Sequence, residues 1–293
     1  MQDILTCAMG LDIHRDVIVA CLVKGELGTD PEIEIRSFST LIPEMRKLRD
    51  WVLEAECRYV AMESTGIYWQ PIYEMLEPCF DGQISILVVN ARHMKNVPGR
   101  KTDMRDAQWI ATLLRAGLLK GSFIPDKTFR ELRHLTRYRK SIVRDITAQK
   151  NRIDKFLQSS GFRFTAFLSD AFGASGRNII RHLMEYGNIS REALDRCLKT
   201  QTRKRIDEIL IALNGSLSEH QRGFLRMIFG HLEALEQHRH TVEDAITKEI
   251  TKHEEALSLL CSIPGIDVTA AAAIIAEIGT DMSAFPDLSL IHI

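Results

Sequence analysis

The chain has 293 residues, 45% hydrophobic and 26% charged, a globular balance that excludes a disordered or fibrous protein and leaves room for two or three units. No run of about 18 apolar residues occurs, which excludes a transmembrane helix, and the opening MQDILTCAMGLDIHRD lacks the basic and apolar blocks of a secretory signal. The net charge of −1 hides a segmented distribution: residues 1–91 hold 7 Lys and Arg against 15 Asp and Glu, residues 92–163 hold 18 against 6, and the rest hold 13 against 18. So concentrated a basic segment points to a polyanionic partner, with a merely solvated helix face as the plainer alternative. The cysteines (7, 21, 57, 79, 197 and 261) include no Cys-x-x-Cys pair. Neither a zinc site nor a disulfide framework is expected, and a reduced cytoplasm is the expected compartment.

In chain order, Ala8–Ile13 and Val17–Lys24 are short apolar runs around His-Arg-Asp and predict a strand hairpin. Glu32–Ser37 alternates as a strand, and Leu41–Glu54 carries apolar residues at helical spacing. Arg58–Met62 predicts a strand ending at Glu63, Tyr68–Leu76 a helix, and Ser85–Val89 a buried strand. A basic loop, ARHMKNVPGRKT, leads into a helix over Thr102–Ala116, with Thr102 as N-cap and Gly117 as stop. An antiparallel meander followed by helix-separated strands is an α/β domain. Residues 127–160 predict one or two basic helices. From about Ser218 to Leu260 the chain reads as long, charged helix whose apolar stripe (Leu225, Ile228, Phe229, Leu232, Leu235, Val242, Ile246, Ile250) suits either a coiled-coil arm or a bundle helix pair. LSLLCSIPGIDVTAAAAIIAEIG, residues 257–279, reads as helix, Pro-Gly turn and small-residue helix. That is a helix-hairpin-helix whose free N–H groups suit a phosphate, or an ordinary αα-hairpin.

The acids carry the chemistry. Asp12 lies near the end of the first strand and Glu63 at the end of the fourth, so a sheet that sets these strands side by side brings both carboxylates to its carboxyl edge. Asp103 and Asp106 stand three apart in the first turn of a helix, on one face, where negative charge is favoured. Singly, each acid has an ordinary structural explanation. Four together repel unless cations sit between them, and hard oxygen ligands suit Mg²⁺ or Mn²⁺. Two such ions, about 3.5–4 Å apart, serve phosphodiester displacement. Arg92, Lys95, Arg100, Lys101 and Arg105 flank the acids, and Arg137, Arg139, Lys140 and Arg144 follow on the basic helix; all are candidates to hold nucleic-acid backbone. His14 follows Asp12 by two residues and lies within reach of the site, but such a residue is more often a turn or packing histidine and is left out of the set; His238 and His240 have poor metal spacing.

The segments MGLDIHRD, AMESTGIYWQP, VVNARHMKNVPGRKTDMRDAQWIATLLRAGLL, LRHLTRYRKSIVRDITAQKNRI and LCSIPGIDVTAAAAIIAEIG span most of the chain, and KTDxxDA after a VxN-type strand is highly specific. Together they resemble the IS110 family of bacterial insertion-sequence transposases, DEDD recombinases guided by a bridge RNA. The resemblance implies an RNase H-like, Holliday-junction-resolvase-type catalytic domain over residues 1–160, with Asp12, Glu63, Asp103 and Asp106 as the catalytic, metal-binding set. It further implies a helical coiled-coil region over 161–255 and, over 256–293, the start of a helix-hairpin-helix-containing transposase domain. Donor and target DNA, a structured non-coding RNA and further copies of the chain are the implied partners, with Mg²⁺ as cofactor. After AEIGTDMSAFPD the family continues with a Gly-Leu-x-Pro turn and a Ser-Gly segment carrying a nucleophilic serine; here the chain runs on to LSLIHI. Ser283 and Ser289 precede the expected position and are not given that role, so the expectation is a C-terminally truncated transposase that binds nucleic acid but does not complete strand exchange alone. Two further readings stay open. One is a non-catalytic nucleic-acid-binding remnant. The other is an actin-like phosphotransferase, which the opening GLDIHRDVIVACLV also suits but which lacks a second Gly-rich phosphate loop.

Overall fold

The computed structural model describes residues 3–64, 66–90 and 106–285. Packing divides the chain into two compact units, Met1–Ile124 and Pro125–Ile293.

The first unit is a five-stranded mixed sheet. Its strands are β1 (Cys7–Ile13), β2 (Val17–Lys24), β3 (Glu32–Ser39), β4 (Tyr59–Glu63) and β5 (Ser85–Val89), in the spatial order β3-β2-β1-β4-β5. β1 pairs antiparallel with β2, and β2 with β3, as short turns require; β1 and β4, then β4 and β5, pair in parallel across helical crossovers. Strand alternation separates the two faces. Met9, Leu11 and Ile13 of β1, with Ile18, Ala20, Leu22, Val60, Met62 and Val88, face α1 (Ile42–Glu54) and α2 (Gln70–Leu76). The opposite face is built of small residues, among them Ala8, Cys21 and Ala61, and takes α3 (Asp106–Arg115) through Ala107, Ile110, Ala111 and Leu114. α3 ends as its glycine predicts: Gly117 has φ +68°, its N–H bonds to Leu114 O, and Leu118 N–H bonds to Leu113 O. The sheet and its helices fit an RNase H-like domain.

Arg115 anchors the far end of α3. Its side chain is only 1% exposed; Nε donates to Leu5 O at 3.0 Å, and Nη2 to Gly25 O and Glu26 O, each at 3.2 Å. Asp3 pairs with Nε at 3.2 Å. One buried guanidinium thus ties the helix to the N-terminal segment and to the loop after β2.

The second unit is helical: α4 (Lys127–Ser159), α5 (Ala174–Tyr186), α6 (Arg191–Cys197), α7 (Thr200–Arg203), α8 (Ile206–Ala212), α9 (Glu219–Ile250), α10 (Glu254–Cys261) and α11 (Val268–Ile278). α4 is one continuous helix of 33 residues, about 50 Å long. It packs along α9 in the opposite sense, as the cross-contacts show: Tyr138 meets His238, Arg139 meets Glu243, Gln149 meets Ile228 and Phe156 meets Phe224. The apolar stripe of α9 is therefore covered within the chain, against Ile142, Ile146, Ile153 and Leu157 of α4. α9 opens with a reciprocal capping box between Ser218 and Gln221. α10 and α11 form the expected hairpin, with Gly265 at φ +90° in its turn.

Candidate active site

β1 and β4 lie side by side in the register Gly10↔Ala61, Leu11↔Met62. One step further along each strand stand Asp12 and Glu63, on the face that carries Gly10 and Ala61, which is the face covered by α3. Gly10 decides how close α3 comes. A Cβ at that position would lie 2.2 Å from Ala107 O and 2.4 Å from Ala111 N, so helix backbone rests directly on strand backbone. Asp106 opens this helix, next to Ala107.

The acids feel one another. Burial pushes the Asp12 carboxyl above the usual aspartate range; His14 opposes that shift, and the negative charges of Asp106 and Glu63 add to it. Asp12 and Glu63 thus stand on one face at one sheet edge, and Asp106 opens the helix that covers that face. Among the described residues no three His, Cys, Asp or Glu side chains close around a single point. Asp103, with Arg92, Lys95, Arg100, Lys101 and Arg105, lies outside the described residues. In donor type the gathered set suits a hard divalent cation: it offers oxygen ligands only, and its mutual repulsion is what a cation relieves.

His14 stands beside Asp12, outside the set of candidate residues. Its Nε2 lies 3.2 Å from Asp12 Oδ2, and the side chains are 61% and 16% exposed. His14 follows the last residue of β1, so its two-residue spacing from Asp12 hints at a shared face without fixing one. Ser64, after Glu63, is held by its N–H on Val89 O.

The basic residues of α4 divide into two groups. Arg137 forks onto Glu277, with Nε to Oε1 at 2.9 Å and Nη2 to Oε2 at 3.0 Å, and Arg133 joins the same carboxylate at 3.0 Å. Arg139 pairs with Glu243 at 2.7 Å. Lys140 and Arg144 are exposed. In the α10–α11 hairpin the Asp267 carboxylate accepts the Ala270 N–H at 2.7 Å, so one N–H that suits a phosphate is already taken by a capping acid.

No helix among the described residues is long and apolar enough to cross a membrane. No curated protein matches the chain. A family model described as transposase, of the IS110 DEDD type, matches residues 9–161, just over half of the chain and a span that holds all four candidate acids. The sheet with two acids at its carboxyl edge and a third brought to it by α3 agrees with that match, and the chain belongs to the IS110 family of DEDD transposases.

Proposed function

We propose that the chain acts on DNA through a carboxylate site of Asp12, Glu63, Asp103 and Asp106 that holds Mg²⁺, or Mn²⁺ in its place, and that a structured RNA directs it to donor and target. The observation that supports this most is geometric: Asp12 and Glu63 end the neighbouring strands β1 and β4 on one face of the sheet, and Asp106 opens the helix that covers that face. When bound, the metal supplies Lewis-acid stabilisation of charge on the reacting phosphate. The protein's share is to hold the acids together on two neighbouring strands and one helix, and to bring the polyanion alongside. Arg92, Lys95, Arg100, Lys101 and Arg105 come from the segment that precedes α3 in the chain; Lys140 and Arg144 come from the exposed side of α4. Arg137 and Arg139 contribute only if they leave Glu277 and Glu243. Residues 1–160 form the catalytic part, 161–255 a helical arm for assembly of several copies, and 256–293 the onset of the transposase domain. This division is one of function; by packing alone the break follows Ile124.

The test uses the full chain with the RNA that copurifies with it. Mg²⁺-dependent cleavage of a DNA strand that Asp103→Asn abolishes, with RNA binding retained, is the expected result. Cleavage unchanged in Asp103→Asn would take that residue out of the site. RNA binding without any metal-dependent cleavage by the wild type would move the chain to a nucleic-acid-binding role without chemistry.

A further inference from the structure

Asp12 has two carboxylate oxygens, and one of them is engaged. An ionised carboxylate only accepts hydrogen bonds, so in a hydrogen bond across the 3.2 Å contact between Asp12 Oδ2 and His14 Nε2 the histidine is the donor. The backbone that carries the ring is held on both sides. His14 N–H bonds to Val17 O at 2.9 Å across the β1–β2 turn, and Thr40 Oγ1 donates to Arg15 O at 2.9 Å, tying that turn to the end of β3. His14 itself is mostly exposed and fills no core space, so packing does not explain its placement. Asp12, by contrast, is mostly buried, and Asp106 and Glu63 repel it. Left to itself, its side chain would relieve that repulsion by turning to solvent.

We propose that His14 is a positioning residue of the metal site: its Nε2–H holds Asp12 Oδ2, keeps the carboxylate beside Glu63 and Asp106, and leaves Oδ1 for the cation. The inference rests on the metal reading given above. Hydrogen bonds to ligating carboxylates from outside the coordination sphere carry about 10- to 100-fold in metal affinity. The arrangement needs a donor at this place; it needs neither an imidazole ring nor a positive charge.

The experiment is Mn²⁺ binding to the full chain, followed by electron paramagnetic resonance at one neutral pH, for wild type, His14→Ala and His14→Gln. Melting temperature without metal is measured beside it. His14→Ala is expected to weaken Mn²⁺ binding about tenfold, and His14→Gln, whose amide donates a hydrogen bond, to recover most of it. All three proteins are expected to melt alike without metal. Wild-type affinity in His14→Ala overturns the positioning role and leaves the metal reading standing. Equal losses in both variants, or a matching fall in the metal-free melting temperature, overturn it as well. Absence of Mn²⁺ binding by the wild type overturns both the inference and the metal reading.

Discussion

Gly10 has no side chain, and the position of Asp106 depends on that. Any Cβ there would strike the backbone of Ala107 and Ala111, which cannot swing aside as a flexible side chain can. Gly10→Val is expected to cost about 3 kcal/mol in urea denaturation and to weaken Mn²⁺ binding by displacing Asp106. Stability lost with metal affinity intact would show that α3 does not set the site. Asp12 makes the opposite case, a residue the fold tolerates at a cost. Its carboxyl is raised by burial, so the folded state holds that proton more tightly than the unfolded chain does. The contribution to stability is full below the ordinary aspartate range and is lost as pH rises through the raised value. At neutral pH without metal the ionised form therefore strains the fold. Asp12→Asn should raise the metal-free melting temperature at pH 7, with a gain that shrinks as pH falls toward about 4. A gain that does not vary with pH would trace the effect to something other than charge.

At the scale of elements, α3 is fixed at one end by Gly10 and at the other by Arg115. Arg115→Met keeps much of the volume but strips partners from Leu5 O, Gly25 O, Glu26 O and Asp3. A loss of about 3–5 kcal/mol is expected, read as a lower urea midpoint. Ser218→Ala removes half of the capping box of α9 and should cost about 1 kcal/mol, measured the same way. The basic helix α4 gives a sharper contrast. Arg137 and Arg139 are engaged by Glu277 and Glu243, whereas Lys140 and Arg144 are exposed. Replacing Lys140 and Arg144 with Gln should lower the slope of log affinity against log salt by about 2 for a duplex. Replacing Arg137 and Arg139 should change it less. The reverse order would mean that the glutamates yield to phosphate on binding.

At the scale of the molecule, the strands and their acids were legible because they obey period two and end at turn residues. Asp12 and Glu63 could be placed at strand ends from spacing, and the structure sets those strands side by side, with small residues letting α3 down onto them. His14 was not picked out, because a lone histidine in a turn has many ordinary explanations and its partner is visible only once the strand face is known. The antiparallel pairing of α4 with α9 was beyond reach for a related reason. An apolar stripe shows that a helix is covered and not by what, and here the cover lies 79 to 104 residues away in the chain at the contacts Gln149–Ile228, Tyr138–His238 and Arg139–Glu243. The small helices α6 to α8, of 7, 4 and 7 residues, are too short for a sustained amphipathic pattern.

The backbone-to-backbone seat of α3 on Gly10 has a kinetic consequence. With no side chain between them, the helix cannot ride up on a changed rotamer; to move Asp106 away from Asp12 it must leave Ala8, Ala61, Cys21 and Val23 together. Opening is then a sub-global unfolding event rather than a breathing motion. The amide protons of Ile110–Leu114 should exchange with solvent deuterium as slowly as those of β1, while those in the β1–β2 turn exchange fast. The spacing of these acids is thus set once, when the unit folds, and not anew each time a nucleic acid arrives.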